Sequence, residues 1–385
     1  MFRASKNSIY EELGIRPVIH AAGTKTTYGG TKIAPEVMEI MNIASQSFVS
    51  IEELNRKIGS YIAEISGAEA GMVTSGAASG MVLSAAACIT GTNLAAIKKL
   101  PDTNNLKNEI ITQKIHYGDY THIYTFSGAK LVEVGNVNSC LPEELEGAIT
   151  EKTAAISYLL GPRIYPTGLS LDEVVKIASS HSVPVIVDAA AMLPPMDNLR
   201  KYMDQGADLV TMSGGKFIHG PQSTGLLFGK KTLIDAALAN ASPNYAIGRP
   251  HKVSKENMVG LYAALKRAQS INISETFELY IRRLNVVMSH LEDIKTINIK
   301  VIQDEFNYHV PVLIIEFSKE WKGIKPKEIL DLLIKGTPPI FMQYFKSLQH
   351  LAINPISLEE DELIPLGKRL KEILSIERVA NETSS

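Results

Sequence analysis

Two cysteines, Cys88 and Cys140, are all that the 385 residues contain. A disulfide framework needs several, so that class of fold is excluded, and two isolated thiols fit a reducing cytosol. Charge of one sign is also missing. The 39 Lys and Arg stand against 41 Asp and Glu, a net charge of −2. No global basic field exists to gather nucleic acid or an anionic membrane surface. No uninterrupted apolar run approaches the roughly 20 residues of a membrane span. The start, MFRASKNSIYEELGIRP, is charged and has no apolar core of signal-peptide length. These absences set the expectation of a cytoplasmic protein with neither a nucleic-acid nor a membrane partner. No CxxC, no HExxH and no clustered His and carboxylate set occurs, so no metal is expected. Gly215-Lys216 is followed by Phe217 and lacks the earlier glycine of a P-loop, and no GxGxxG follows a first strand.

What the chain does have is core-forming material: 45% hydrophobic and 21% charged residues, which excludes disorder over most of its length. At roughly 150 residues per domain, two to three domains are expected. The middle of the chain alternates β-rich runs with helical stretches. Strands are expected at 109–113, 130–134, 154–160, 183–187, 209–212 and 225–229. Helices are expected at 142–149, where three glutamates favour an N-terminus, and at 170–182, where Ser170 and Glu173 form a capping-box pattern. The Ala-rich window Met81–Thr90 suits a buried helix. Such alternation implies a mainly parallel sheet with crossover helices on both faces, with binding residues in loops beyond the carboxyl ends of the strands. After Gly229 the pattern changes. Residues 240–255 read as an exposed connector, 256–268 as a helix, and the stretch from about Phe277 as a long helix, a strand at 310–317 and an amphipathic helix at 359–374. The reading is α/β: an N-terminal arm (1–30), a large α/β domain (31–255), and a connecting helix with a small α+β C-terminal domain (256–385).

The strongest local constellation is VPVIVDAAA, with Asp188 past an apolar strand, followed 28 residues later by Lys216 in DLVTMSGGKFIHGPQSTG. One helix and one strand fit between them, so both side chains fall at one edge of the sheet. A salt bridge would account for the pair. A cofactor with a ring nitrogen to protonate and an aldehyde to trap would account for it too, and pyridoxal phosphate has both. A partly desolvated lysine is a competent Schiff-base amine, and a carboxylate facing the pyridine nitrogen keeps it protonated. Upstream, TSGAASG (Thr74–Gly80) precedes the apolar helix. Small residues there let backbone N–H groups approach a phosphate, and the hydroxyls of Ser75 and Ser79 add donors.

The order phosphate loop, acid, lysine resembles that of the fold-type-I pyridoxal phosphate enzymes. Within them the chain is similar to the group containing bacterial seryl-tRNA selenium transferase and D-glucosaminate-6-phosphate ammonia lyase. The segments that carry the likeness are GIRPVIHAAGTKTTYGG, ISGAEAGMVTSGAASG, GAKLVEVGNVN, VPVIVDAAAMLPP, GADLVTMSGGKFIHGPQSTGLLFGKK and GRPHKVSKENMVGL, spread over residues 10 to 375. The resemblance implies roles. Lys216 is the Schiff-base lysine, Asp188 the partner of the pyridinium nitrogen, and His116 the ring stacked on the cofactor, a place Tyr117 or Tyr120 could also fill. Ser75, Gly76 and Ala77 line the phosphate, with Ser213 and Gln222 helping across a subunit boundary. Lys25, Tyr28, Arg163, Arg249 and Lys252 fall where substrate or anionic groups are held. Departures occur at His20, His219, Gln343 and Ile356, where the ammonia-lyase pattern has Asn, Arg and two arginines, which implies a different anion site. The expected activity is β-elimination and deamination of a small β-hydroxy amino acid or amino sugar acid, in a homodimer or larger homo-oligomer. A racemase, a selenium-transferase-like enzyme and a non-catalytic relative that kept the fold are the alternatives. The chain has no room for the tRNA-binding domain of the selenium transferases, so a tRNA substrate is not expected.

Overall fold

The computed structural model describes residues 8–376, apart from 163, 165, 166 and 307. The chain divides into two units, Lys32–Ile271 and a second made of Met1–Thr31 with Asn272–Ser385. It enters the second, smaller unit through α1 (Ser8–Glu12) and β1 (Ile19–His20).

The larger unit begins with α2 (Pro35–Ser45) and α3 (Ile51–Ser66). There follow β2 (Ala70–Thr74), α4 (Ala77–Thr90), α5 (Leu94–Lys99), β3 (Glu109–Gln113), β4 (Lys130–Val134), α6 (Pro142–Ala148), β5 (Thr153–Leu159), α7 (Leu171–Ser180), β6 (Val185–Asp188), α8 (Asn198–Asp204), β7 (Leu209–Ser213), β8 (Gly225–Gly229), α9 (Lys231–Asn240) and α10 (Lys255–Gln269). The seven strands form one sheet in the order β2-β8-β7-β6-β5-β3-β4. All pairings from β7 to β4 are parallel, while β8 runs antiparallel to both β7 and β2. Strands β5, β6 and β7 are buried along almost their whole length. That is the pattern of a sheet covered on both faces, and it explains why these strands read as continuous apolar runs. The caps follow the sequence. Ser50 Oγ accepts the Glu53 N–H at the start of α3, and Ser170 and Glu173 form the reciprocal box at α7.

Strand β2 lies at one end of the sheet and is gripped from its outer side by α3. The buried amide of Asn55 accepts the Val73 N–H at 2.7 Å and donates to the Val73 carbonyl at 3.2 Å. Helix α10 belongs to this unit as well. It buries Met258, Leu261, Ala264, Leu265 and Ala268 and packs on α2. The division between the units therefore follows Ile271, whereas the composition change had drawn it at 255: an apolar helix face stays with the unit that covers it.

The smaller unit contains α11 (Ile273–Ser289), β9 (Ile297–Ile302), β10 (Val312–Phe317), α12 (Pro326–Lys335), β11 (Ile340–Phe341), β12 (Gln343–Phe345), β13 (His350–Ile353) and α13 (Glu360–Leu374). Its antiparallel sheet has the order β12-β13-β10-β9. The N-terminal segment is built into this unit, because β1 pairs in parallel with β11 and Ser357 Oγ donates to the carbonyls of Gly23 and Gly30. Helix α13 buries Leu363, Leu366, Leu370 and Ile373, the three- and four-residue spacing of a one-faced helix. No helix among the described residues is long and apolar enough to cross a membrane.

Candidate active site

The parallel strands of the larger unit all present their carboxyl ends at one edge, and so does β2, which is antiparallel to β8 as β7 is. Asp188 is the last residue of β6, paired in register with Thr211 of the neighbouring β7. Lys216 follows β7 by three residues, through Gly214 and Gly215. Sheet topology thus brings the two charged residues to one edge on adjacent strands. Burial pushes the Asp188 carboxyl above its usual range. The Ala190 N–H, donating at 3.0 Å, and the charge of Lys216 pull it back in part. A buried acid in that condition favours a cation in front of it.

A pocket opens beside Asp188, with His116, Thr112, Tyr124, Ser157, Tyr158 and Asp119 among its lining residues. His116 sits at the end of the single turn that follows β3. It is 4% exposed, and its Nδ1 is buried without a hydrogen-bond partner. Burial pushes the imidazole down to about 4, so the ring is neutral at physiological pH. Tyr158 packs edge-on against it, with centroids 4.5 Å apart and planes at 75°. Tyr124 is buried close enough to Asp188 that, after burial itself, the carboxylate contributes to raising its phenol far above the ordinary value. Tyr117 and Tyr120 are exposed, and Tyr120 reaches the pocket rim.

The loop Ser75–Ala77 forms the entry to α4 at the same edge. Gly76 has φ 87° and ψ 163°, and no side chain caps the helix, so the first amides of α4 keep their donors. A Cβ on Gly76 would meet nothing within 4 Å, which leaves open space above those amides. Ser79 Oγ, one turn in, is buried without a partner. From below the loop is pressed on the sheet. Thr211 Oγ1 donates to the Ala77 carbonyl at 3.2 Å, and a Cβ on Gly225 of β8 would lie 2.5 Å from the Gly76 carbonyl carbon. An uncapped helix start, an open cradle and an orphaned hydroxyl suit a phosphate. With Asp188 opposite, the residues fit pyridoxal phosphate.

The remaining candidates are placed as follows. Ser213 is half-buried at the end of β7, opposite Gly225. Gln222 folds over the lysine loop, its Oε1 lying 2.6 Å from where a Cβ of Gly215 would stand. Arg249 does not line the pocket of His116 and Asp188. It is exposed and lies with Lys98 and Tyr245 along an open hollow of about 560 Å³, its guanidinium 6.0 Å from the Tyr245 ring. Lys252 is exposed in the same connector. Lys25 and Tyr28 belong to the smaller unit, where Tyr28 stacks on Phe341 at 4.2 Å beside His20. His20 is buried, with both ring nitrogens unpartnered, and burial pushes it down to about 4. Arg163 lies outside the described residues, as does Tyr165. Thr211, Tyr124 and Tyr158 escaped the sequence reading. Only the register of β7 and β5 and the place of Tyr124 in the short helical stretch Thr121–Ser127 could have pointed to them. No group of three His, Cys, Asp or Glu able to hold a metal ion occurs among the described residues.

Comparison with known proteins finds relatives over nearly the whole chain. A 5'-C-glycyluridine monooxygenase-decarboxylase from Streptomyces sp is 32% identical over 373 residues, covering 95% of this chain and 92% of that protein. A D-glucosaminate-6-phosphate ammonia lyase from Salmonella typhimurium is 32% identical over 372 residues, covering 95% and 98%. An L-seryl-tRNA(Sec) selenium transferase from Aquifex aeolicus is 25% identical, covering 94% and 85%. A solved structure of a D-glucosaminate-6-phosphate ammonia-lyase superposes with a TM-score of 0.85 at 32% identity, over 97% of this chain and 99% of that one. An aspartate aminotransferase from Thermus thermophilus, at 14% identity and a TM-score of 0.53, shares the fold alone. The architecture is that of the fold-type-I enzymes. With residues 31–310 matched by the SelA family, described as L-seryl-tRNA selenium transferase, the chain belongs to that family.

Proposed function

We propose that the protein is a pyridoxal phosphate-dependent ammonia lyase acting on a small β-hydroxy amino acid or amino sugar acid. The observation that carries this is the meeting of Asp188 and Lys216 at the carboxyl edge of neighbouring strands, beside the uncapped start of α4. The ammonia-lyase relative, alike over nearly its whole length, supports the same reaction class. When bound, pyridoxal phosphate supplies an electrophilic carbon for amines and a ring that accepts electrons from a substrate carbanion.

The chain's own residues do the rest. Lys216 would hold the cofactor through its amine, and the same amine is the group placed to take the substrate Cα proton. Asp188 holds a proton on the ring nitrogen, and in doing so acquires the cation its burial favours. His116, neutral and wedged by Tyr158, offers an imidazole face against the ring without adding charge. The amides of Gly76 and Ala77, with Ser75 and Ser79, hold the phosphate, and Ser213 and Gln222 close the lysine side. The departures at Gln343 and Ile356 argue for a substrate other than phosphorylated glucosaminate. Ile356 is buried, and β12, which begins at Gln343, offers no guanidinium there.

The test is spectroscopic and then chemical. The purified chain with pyridoxal phosphate should show a visible band that borohydride abolishes, and Lys216→Ala should lose the covalent link while remaining folded. A panel of D- and L-β-hydroxy amino acids, assayed for ammonia, keto acid and chirality, should give ammonia and keto acid. Racemised substrate without ammonia would replace the lyase reading by a racemase. Parent-rate turnover by Lys216→Ala, against the expected loss of about 10²–10⁴-fold for a removed proton-transfer group, would refute it. The proposal includes a homodimer or larger assembly, and an active monomer by light scattering would contradict that part.

A further inference from the structure

The turn that carries Lys216 is closed by a histidine with an uncommon backbone. His219 has φ 55°, in the left-handed region where most side chains are strained and Asn, Asp and His are enriched. Its N–H donates to the Lys216 carbonyl at 2.9 Å, and the Gly220 N–H returns to the Gly214 carbonyl at 3.1 Å. The loop is therefore stitched to itself on both sides of the lysine.

A second set of contacts ties this turn to a strap at the start of the larger unit. His219 Nδ1 lies 3.0 Å from the carbonyl oxygen of Lys32. A carbonyl only accepts, so Nδ1 is the protonated nitrogen. The His219 carbonyl accepts the Ala34 N–H at 3.1 Å. Ring and backbone of one residue thus grip both ends of a three-residue stretch. That stretch runs directly into α2, whose first-turn Glu36 pairs with Arg267 of α10 at 2.5 Å and also senses the His219 ring. The strap is anchored, so whatever it holds is held against α10 and the sheet.

We infer that His219 is a positioning residue: its imidazole and left-handed backbone fix the Lys216 turn against the strap 32–36, so that the lysine amine meets the pocket in one orientation. This rests on the reading of Lys216 as the lysine that carries the cofactor. Three side chains separate the contributions. Glycine at 219 keeps the backbone conformation and deletes the ring. Asparagine tolerates the conformation and returns a short N–H donor. Alanine loses both.

The experiment uses the full chain freed of cofactor, so that it does not depend on turnover. Hydrogen exchange of the amides from 214 to 220 is measured together with the pH profile of Lys216 acylation by acetic anhydride, read by peptide mass spectrometry. His219→Gly should raise exchange in this turn by about tenfold, the weight of one lost hydrogen bond, and shift the Lys216 acylation profile, with other segments unchanged. His219→Asn should return both towards the parent. Parent-like exchange and acylation in His219→Gly would overturn the inference. Should His219→Gly fail to fold, the Ala and Asn variants decide, since equal acylation profiles in the two would equally overturn it. A parent chain that never develops the visible band sinks the cofactor reading, whereas a normal band with an unresponsive Lys216 turn sinks this inference alone.

Discussion

Replacing Gly225 by alanine tests whether the start of α4 is shaped by the strand beneath it. The new Cβ would stand 2.5 Å from the Gly76 carbonyl carbon and 2.7 Å from the Ala77 nitrogen. Both are backbone atoms, so no side-chain rotation relieves the contact. Ordinary contact begins near 3.4 Å, so the Gly76–Ala77 peptide must shift by about 0.9 Å or β8 must give way. Overpacking of this kind costs about 1–3 kcal/mol, which in a unit of this size lowers the melting temperature by about 2–4 °C per kcal/mol. Function should suffer more than stability. Displaced by that much, the Ala77 N–H would no longer be aimed at a phosphate oxygen held in the cradle, and a misaligned hydrogen bond weakens steeply. Losing one charge-assisted bond weakens pyridoxal phosphate binding by about 10- to 100-fold. The assay is a spectral titration of the chain with pyridoxal phosphate beside a thermal melt. Gly147→Ala, whose Cβ meets nothing within 4 Å in α6, is the control and should match the parent in cofactor affinity and melt no lower. Parent-like cofactor affinity in Gly225→Ala would refute the claim that β8 sets the phosphate loop.

Two further outcomes follow from buried polar groups. His116 is held down to about 4 by burial, against about 6.5 in an unfolded chain, so it contributes stability above pH 6.5 that is lost as pH falls towards 4. At pH 5 the loss is about 2 kcal/mol, and melting curves of His116→Phe should show a correspondingly smaller drop between pH 7 and pH 5; an identical drop would remove His116 as the cause. Asn55→Leu leaves the Val73 N–H and C=O buried without partners, and should lower stability by about 2–4 kcal/mol in a denaturant titration, an unchanged midpoint being the contrary result.

Much of the larger unit was legible because its central strands are buried on both faces and its strands are flanked by turn residues. The runs at 109–113, 130–134 and 225–229 are strands over those same residues, and Ser170 with Glu173 caps α7 as the pattern implied. The acid and the lysine stand out in the sequence because Asp188 ends one apolar strand and Lys216 follows the next by three residues. Less visible was β2, whose AGMVT has two small residues and no alternation, and so resembles the Ala-rich helix beside it. The reversed direction of β8 was hidden too. Only the short connection from β7, which leaves no room for a crossover helix, encodes it. Thr211 could not be singled out, since one threonine in an apolar strand looks like any β-branched residue until its hydroxyl is seen on the Ala77 carbonyl. Arg249 and Lys252 read as site residues from their segment alone; both are exposed, and Arg249 lies along the hollow that Lys98 and Tyr245 also line.

The side-chain amide of Asn55 imitates a neighbouring strand: one donor and one acceptor offered to a single residue at the margin of the sheet. An open margin is a template on which another molecule can extend the ladder, and proteins suffer aggregation through such margins. Here one residue on a covering helix occupies the template, so growth of the sheet into a second chain is blocked at Val73, just before the start of α4.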